Sequence, residues 1–435
     1  MECIVICLVI LFACLMLSVP IGVSLGLSTA VAMAAATSTP TILVAQKAFS
    51  GLDSFPLMAV PFFMLAGSLM TNGGIARRIV EVADLLVGKI TGGLGMATVA
   101  ASMFFAAISG SAQATVSAMG TMMLPEMEKR GYDKDFATGL TATAGTIGVI
   151  IPPSIPFVIY GVASGASISD LFIAGFMPGI LIGVALMAVC YIISKKRGYR
   201  GHTDSAAVGG EKRSAGKIIF SAIPALLSPV IILGGIYGGI FTPTEAAVVA
   251  TVYSLFVGVF IYRELDWNSW MASLRATADM CGLTALALGF SMSFANFLTM
   301  QQIPQKVAAW MTATFTQPWV LRIVILLILL FVGLFVDNIS SCLILTPVLL
   351  PIATATGMSD VQFGIVMTCA LAIGFVTPPY GCNLFTASAI SQLSIEKISK
   401  AAIPFIIAMF VCLLLITFIP GISMGLVTLL AQFAH

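Results

Sequence analysis

Charge is scarce in this sequence. Only 9% of its 435 residues are Asp, Glu, Lys or Arg, while 59% are hydrophobic and the mean hydropathy is +1.08. Soluble domains carry about a quarter charged residues, so the composition predicts an all-α polytopic membrane protein instead. Histidine is almost missing: His202 sits in a polar stretch and His435 is the last residue. That excludes haem, HExxH zinc chemistry and most acid–base catalysis, and it points away from an enzyme. No GxxxxGK[ST] loop is present, so this chain does not itself hydrolyse ATP. Nine cysteines stand singly in apolar segments with no CxxC pair, as small buried hydrophobes do. The net charge of +2 comes from scattered basic residues, without the clustered footprint of nucleic-acid binding. The first apolar run has no basic residue before it and is expected to be a retained span rather than a cleaved leader.

What is present is apolar length. Segments of spanning character fall at 3–19, 20–37, 56–72, 135–166, 171–194, 217–240, 243–262, 281–300, 361–391, 401–419 and 421–434, about 11 transmembrane helices. Two further stretches, 92–125 and 320–351, bend at Ser109-Gly110-Ser111 and at Asp337-Asn338. Their shorter arms fall below the length needed to cross about 30 Å at about 1.5 Å per residue, so both read as re-entrant hairpins. Stretches 75–88 and 266–279 suit helices lying in the membrane interface, the first with Ile75, Ile79, Val82 and Leu86 on one face and Arg77, Arg78, Glu81 and Asp84 mostly opposite. The alternative for both is a connecting helix packed on protein.

Charge also orients the chain. With the N-terminus outside, 17 of the 20 basic residues fall on the cytoplasmic side, leaving Lys47, Lys306 and Arg322 outside. The seven basic residues of 195–217 read as part of that signal. This polar linker separates a first half, 1–194, from a second half, 218–435.

The halves repeat. An offset of 226 residues superposes Pro125 on Pro351, Gly131 on Gly357, Gly148 on Gly374, Pro152-Pro153 on Pro378-Pro379 and Pro178 on Pro404. The same offset places Ser111 on Asp337, so the hairpin bends coincide. Five spans per half invert the second copy, and inverted repeats with paired broken helices mark secondary transporters. A proline-broken helix offers carbonyls to a cation and a half-helix N-terminus to an anion. Irregular backbone at membrane depth is tolerated where it lines a cavity, so the breaks are expected at the binding site. A channel fits the paired breaks poorly.

The motifs FFAAISGSAQATVSAMGTMMLPEMEKRGYDKDFA, GTIGVIIPPSIPFVIYG and SISDLFIAGFMPG, with GLFVDNISSCLILTPVLLPIA and FGIVMTCALAIGFVTPPYGCNLF in the second half, resemble one family. It is the large, DctM-like membrane subunit of tripartite ATP-independent periplasmic (TRAP) transporters, and the resemblance covers essentially the whole chain. It implies an elevator-type fold of the ion transporter superfamily, with scaffold and transport domains. It also implies Na+-coupled uptake of an organic acid such as a C4-dicarboxylate, sialic acid or another sugar acid across a bacterial inner membrane. The implied partners are a periplasmic substrate-binding protein and a small four-helix membrane subunit, with no cofactor beyond Na+ as coupling ion. By resemblance the first Na+ site would use Ser109, Gly110 and Ser111 with Ile151, Pro152, Pro153 and Ser154. The second would use Asp337 and Asn338 with Thr377, Pro378, Pro379 and Tyr380, and substrate would sit near Ser111, Ser154, Tyr380, Gly381 and Asn383. Gln113 and Ser340-Ser341 depart from the family pattern and are candidates for tuning substrate choice. A stand-alone Na+/dicarboxylate symporter of the same superfamily is the alternative.

Several of these residues have a plainer reading. An acid inside an apolar hairpin is costly, and no Lys or Arg lies within fourteen residues of Asp337, which favours a cation role; Asp337 could equally cap the second hairpin arm. Ser109 and Ser111 could serve only close packing. Glu245 suits a helix N-terminus, capped through Thr242 or Thr244.

Overall fold

Helices dominate because apolar backbone must satisfy its polar groups within its own segment. The computed structural model describes residues 2–17, 19–201 and 214–433. The middle of the expected linker, 202–213, and both histidines lie outside the described residues. Twenty α-helices and no strand are found among the described residues. The chain opens with α1 (Glu2–Met16), α2 (Ile21–Ala36), α3 (Ile42–Leu52) and α4 (Ala59–Asn72), the last entered through a 3-10 turn at Phe55–Met58. α5 (Ile75–Val87) leads into a hairpin of α6 (Gly93–Ser109) and α7 (Ala112–Lys129). α8 (Lys134–Ala144), α9 (Ile155–Ser164) and α10 (Ile168–Arg197) complete the first half. The second half contains α11 (Ala215–Tyr237), α12 (Pro243–Phe256), α13 (Trp267–Met300) and α14 (Ile303–Thr314). A second hairpin, α15 (Pro318–Gly333) and α16 (Asn338–Ala355), precedes α17 (Asp360–Gly374), α18 (Cys382–Ser391), α19 (Ile395–Phe418) and α20 (Pro420–Phe433).

Among the described residues, seven stretches are long and apolar enough to cross a membrane: Phe55–Asn72, α10, α11, Pro243–Ile261, α13, α16 and α19. The segments expected at 135–166 and 361–391 are each two helices separated at the Pro-Pro pair. At the 226-residue offset, α7 and α16 coincide end for end, and α8 and α17 begin together. Gly131 and Gly357, the matched glycines after those helices, both adopt left-handed backbone, with φ of +79° and +81°.

Two groups of helices meet across the site. α2, α3 and α4 pack on α13, and α12 packs on α4, forming a wall. α7, α8, α9 and α16–α19 pack among themselves, with α17 buried at every position after Asp360. α13 touches α16, which brings the wall against the second hairpin.

The structure corrects the two interfacial expectations. α5 is packed between α6 and α11. Its polar face is turned inward: Arg78, Glu81 and Asp84 are buried while Leu86 is 63% exposed. The reason is a distant partner set, because Arg78 pairs with Glu264 at 2.9 Å and stacks over Tyr262. The stretch 266–279 is the start of the 34-residue α13, capped by Asp266 through the Ser269 N–H. Glu245 closes a capping box: the Thr242 N–H donates to its carboxylate at 2.8 Å, and its own N–H donates to the Thr242 hydroxyl.

One polar cluster joins the α7–α8 turn to the end of α10. The Tyr199 hydroxyl donates to Asp133 Oδ2 at 2.6 Å, and Arg197 reaches the same oxygen at 2.7 Å. The Gly92 N–H donates to the Tyr199 carbonyl, tying in the α5–α6 turn. The Tyr199 hydrogen bond, helped by Arg197, holds the Asp133 carboxyl below the usual carboxylate range. A depressed carboxylate stabilises the fold above its unfolded pKa of about 4, and that contribution fades as pH falls below it. Asp133→Asn is therefore expected to lower the thermal unfolding midpoint in detergent by about 1–2 °C at pH 7, as suits an exposed pair. The two proteins should converge in acid. An equal deficit at every pH would assign the loss to packing rather than charge.

Candidate functional site

Four helices begin where the hairpin tips meet the breaks, and each start is set by its own sequence. α6 ends at Ser109, and Gly110 turns the chain with φ +62°, a conformation that favours glycine. Ser111 then caps α7, its hydroxyl accepting from the Ala114 N–H at 3.4 Å. Ser109 and Thr115 hydroxyls lie 3.1 Å apart across the turn. In the first break, α8 tightens into a 3-10 turn at Gly145–Val149 before the cis Pro152–Pro153 bond. Ser154 caps α9: it accepts from the Phe157 N–H and donates to the Val149 carbonyl at 2.6 Å.

Hairpin tip and break are joined directly. The Ile155 N–H donates to the Gly110 carbonyl at 3.3 Å, and a Cβ at Gly110 would lie 2.9 Å from the Pro153 oxygen. Only glycine fits this approach without displacing the break.

The second tip repeats the plan with an acid in place of the serine. Asp337 caps α16, Oδ2 accepting from the Ser340 N–H at 3.1 Å. The second break holds the cis Pro378–Pro379 bond, and Gly381 precedes α18 with φ +61°. Asn383 is fully buried, its Nδ2 donating to the Ala142 carbonyl at 3.1 Å, so the second break is tied to α8 in the first half. Among the described residues, Asn338 Nδ2, Asn383 Oδ1 and the hydroxyls of Ser340 and Ser341 are buried without a hydrogen-bond partner.

A cavity of about 480 Å³ lies where these parts meet the wall. Gly110, Ser111, Gln113, Ile155 and Pro156 line it from the first half, and Asp337, Asn338, Phe375 and Tyr380 from the second. Pro20–Gly22, Met64, Met280 and Thr284 close it from the wall. A second cavity of about 330 Å³, lined by Ser109, Ser117, Thr71 and Asn72, shares Met64, Ser111, Gln113 and Met280 with the first. Among the described residues, Asp337 is the one charged side chain in either lining. The N-termini of α7, α9 and α16 line the larger cavity. The first N–H groups of α7 and α16 favour an anion there, whereas those of α9 are taken by Gly110 and Ser154. An anion and a cation thus find suitable partners within one space.

The expected site residues divide by position. Ser111, Gly110, Asp337, Asn338 and Tyr380 line the larger cavity, and Ser109 lines the smaller. Ile151, Pro152, Pro153 and Ser154 are buried behind the first tip, while Pro378, Pro379 and Tyr380 are exposed. Thr377 donates its hydroxyl to the Ile373 carbonyl, and Gly381 and Asn383 are buried away from both linings. The wall residues Met64, Met280 and Thr284 carry no sequence signal that separates them from other apolar-helix residues. Gln113 did: it is a large amide where a small residue was expected.

Comparison with known proteins follows the same pattern. The family described as "Tripartite ATP-independent periplasmic transporter, DctM component" matches residues 8–422. The C4-dicarboxylate TRAP transporter large permease protein DctM of Pseudomonas aeruginosa is 40% identical over 383 residues, 88% of each chain. The sialic acid TRAP transporter large permease protein SiaM of Vibrio cholerae is 39% identical, covering 89% of this chain and 90% of that one. The isethionate TRAP transporter permease protein DctMQ of Oleidesulfovibrio alaskensis is 44% identical over 89% of this chain, which spans 60% of that relative's length. Among solved structures, the Alcanivorax borkumensis YdaH transporter has the same fold, with a TM-score of 0.65 over 89% of each chain at 12% identity. The chain belongs to the DctM-component family of tripartite ATP-independent periplasmic transporters, a family of membrane permeases rather than enzymes.

Proposed function

We propose that this chain is the large permease subunit for Na+-coupled uptake of a small organic anion across a bacterial inner membrane. The observation that carries the reading is the cavity that gathers both hairpin tips, the N-termini of α7 and α16 and one carboxylate, with no basic side chain among the described residues of its lining. Na+ takes hard oxygen ligands. Asp337 with Asn338, Thr377, Pro378 and Pro379 supply one set, and Ser109, Gly110 and Ser111 with Ile151, Pro152 and Pro153 supply the other. The substrate anion sits between them at Ser111 and Tyr380, held by helix N-termini and by the bound cations. Gln113 faces it and tunes its choice. The named relatives point to a C4-dicarboxylate, sialic acid or isethionate as the class of substrate.

Transport follows an elevator mechanism, in which the hairpins and breaks move together against the α2–α4, α12 and α13 wall. A periplasmic binding protein delivers the substrate, and a small four-helix membrane subunit braces the wall. The basic-residue asymmetry supports an N-terminus in the periplasm and a C-terminus in the cytoplasm.

Proteoliposomes holding this chain with its small subunit are expected to take up labelled organic acid only with an inward Na+ gradient and the cognate binding protein. Uptake with Na+ but without the binding protein would move the chain to stand-alone symport. Asp337→Asn keeps an N-cap and removes the charge. It is expected to leave the unfolding midpoint within about 1 °C and to raise the Na+ concentration for half-maximal uptake about tenfold, about 1.4 kcal/mol. Unchanged Na+ dependence would reduce Asp337 to its capping role. Gly110→Ala should slow uptake about tenfold, because left-handed backbone costs an L-residue about 1–2 kcal/mol and its Cβ meets Pro153. Full uptake by that variant would show that the first tip and its break do not act as a unit.

A further inference from the structure

Arg78 lines neither of the two cavities at the hairpin tips, and its environment is built for more than an ion pair. It is 9% exposed, its guanidinium lies 3.6 Å from the centre of the Tyr262 ring, and Nη1 donates to the Gly74 carbonyl at 2.8 Å. Nη2 donates to Glu264 Oε1, the same oxygen that Arg77 reaches at 2.7 Å. Its Nε is buried with no acceptor among the described residues. Arg78 also lines an outward-opening groove of about 480 Å³ whose other walls are Phe220, Ser221, Ile223, Pro224, Ile261 and Tyr262. Among the described residues no carboxylate lines that groove; Arg78 is its charged group, and Glu264 pairs with it from outside the lining.

We propose that this groove binds an anionic phospholipid, its phosphate against Arg78 and one acyl chain along α11. The placement fits the chemistry at each end. Ser221 lies two turns into α11, and Lys217, exposed on the same face one turn earlier, brings a second cation to the headgroup. Beside them Phe220 is 77% exposed, Ile223 42% and Ile261 46%, exposed apolar surface in the groove lining. A stacked guanidinium held on two sides presents a fixed, weakly hydrated cation, which suits a phosphodiester. A polypeptide occupant is disfavoured by the groove's lack of free polar partners. The Ser221 hydroxyl donates to the Ile218 carbonyl, and the Tyr262 hydroxyl donates to the Ser221 carbonyl and accepts from the Ala225 N–H. Beyond Arg78 a peptide backbone would find nothing to pair with along the groove, whereas an acyl chain needs no partner there.

The test is native mass spectrometry of the full chain released from nanodiscs of mixed phosphatidylglycerol and phosphatidylethanolamine, alone and with its small membrane subunit. Wild type is expected to retain phosphatidylglycerol preferentially, and added phosphatidylglycerol should raise its unfolding midpoint. Lys217→Gln should cut that retention about fivefold, about 1 kcal/mol for one basic group. Ile223→Trp, which fills the groove, should abolish it. Arg78→Gln should do the same; because its loss also removes buried contacts, the two rim variants carry the decision. Equal retention of both lipids, or retention unchanged in Lys217→Gln and Ile223→Trp, overturns the proposal. So does loss of the lipid when the small subunit binds, which would assign the groove to protein.

Discussion

A helix that stops inside an apolar interior must find partners for the backbone groups it leaves open, and the rest of this site depends on how that is done. An unsatisfied group in hydrocarbon costs several kcal/mol, so a free break would unravel the fold around it. Here each break is closed by something outside itself. The Ile155 N–H, at the start of α9, is met by the carbonyl of Gly110 from the first hairpin tip. The second break is held by Asn383 reaching the Ala142 carbonyl, 241 residues earlier in the chain. Serine and aspartate caps settle the first turns of α7, α9 and α16. With those partners in place α9 is closed, and the first N–H groups of α7 and α16 remain available to a ligand in the cavity they line.

The two halves use one plan to different ends. Their hairpin arms coincide at a constant offset, yet Ser111 in the first corresponds to Asp337 in the second. The first break is packed behind its tip, while Pro378, Pro379 and Tyr380 of the second are exposed. The neutral cap thus lies beside a buried break and the charged cap beside an exposed one, both on the same cavity. Repetition supplies the geometry, and single substitutions supply the chemistry.

Much of this was legible because the signals are local. Proline pairs, a Gly-Ser tip and an acid in an apolar run each act within a few residues. They located the hairpin bends and both breaks, and Glu245 with Thr242 announced a helix start in the same way. The failures are long-range. α5 reads as an interfacial amphipath because its charges look exposed, and only Glu264 and Tyr262, more than 180 residues away, turn that face inward. The stretch after Asp266 reads as separate because its Trp-bearing turn is polar, whereas packing on α3 and α4 carries one helix through to Met300. The wall of the cavity was unreadable for a related reason: Met64, Met280 and Thr284 differ in nothing but position from residues that face lipid.

The single carboxylate gives the proposed coupling its physical basis. Asp337 has no basic side chain beside it in the cavity, so its charge is left for an incoming cation to offset. An organic anion entering alone would meet that carboxylate as a like charge. With Na+ bound, the same anion meets a cation and the positive ends of α7 and α16 instead. Two opposite charges about 6 Å apart in an environment of effective dielectric about 20 attract by about 3 kcal/mol, a hundredfold in affinity. Linkage makes the effect reciprocal: the anion tightens Na+ as much as Na+ tightens the anion. A lining arginine would have bound the anion without the ion and uncoupled the two. Among the described residues no basic side chain lines the cavity, and in the proposed coupling that shortage of positive charge makes one ligand depend on the other.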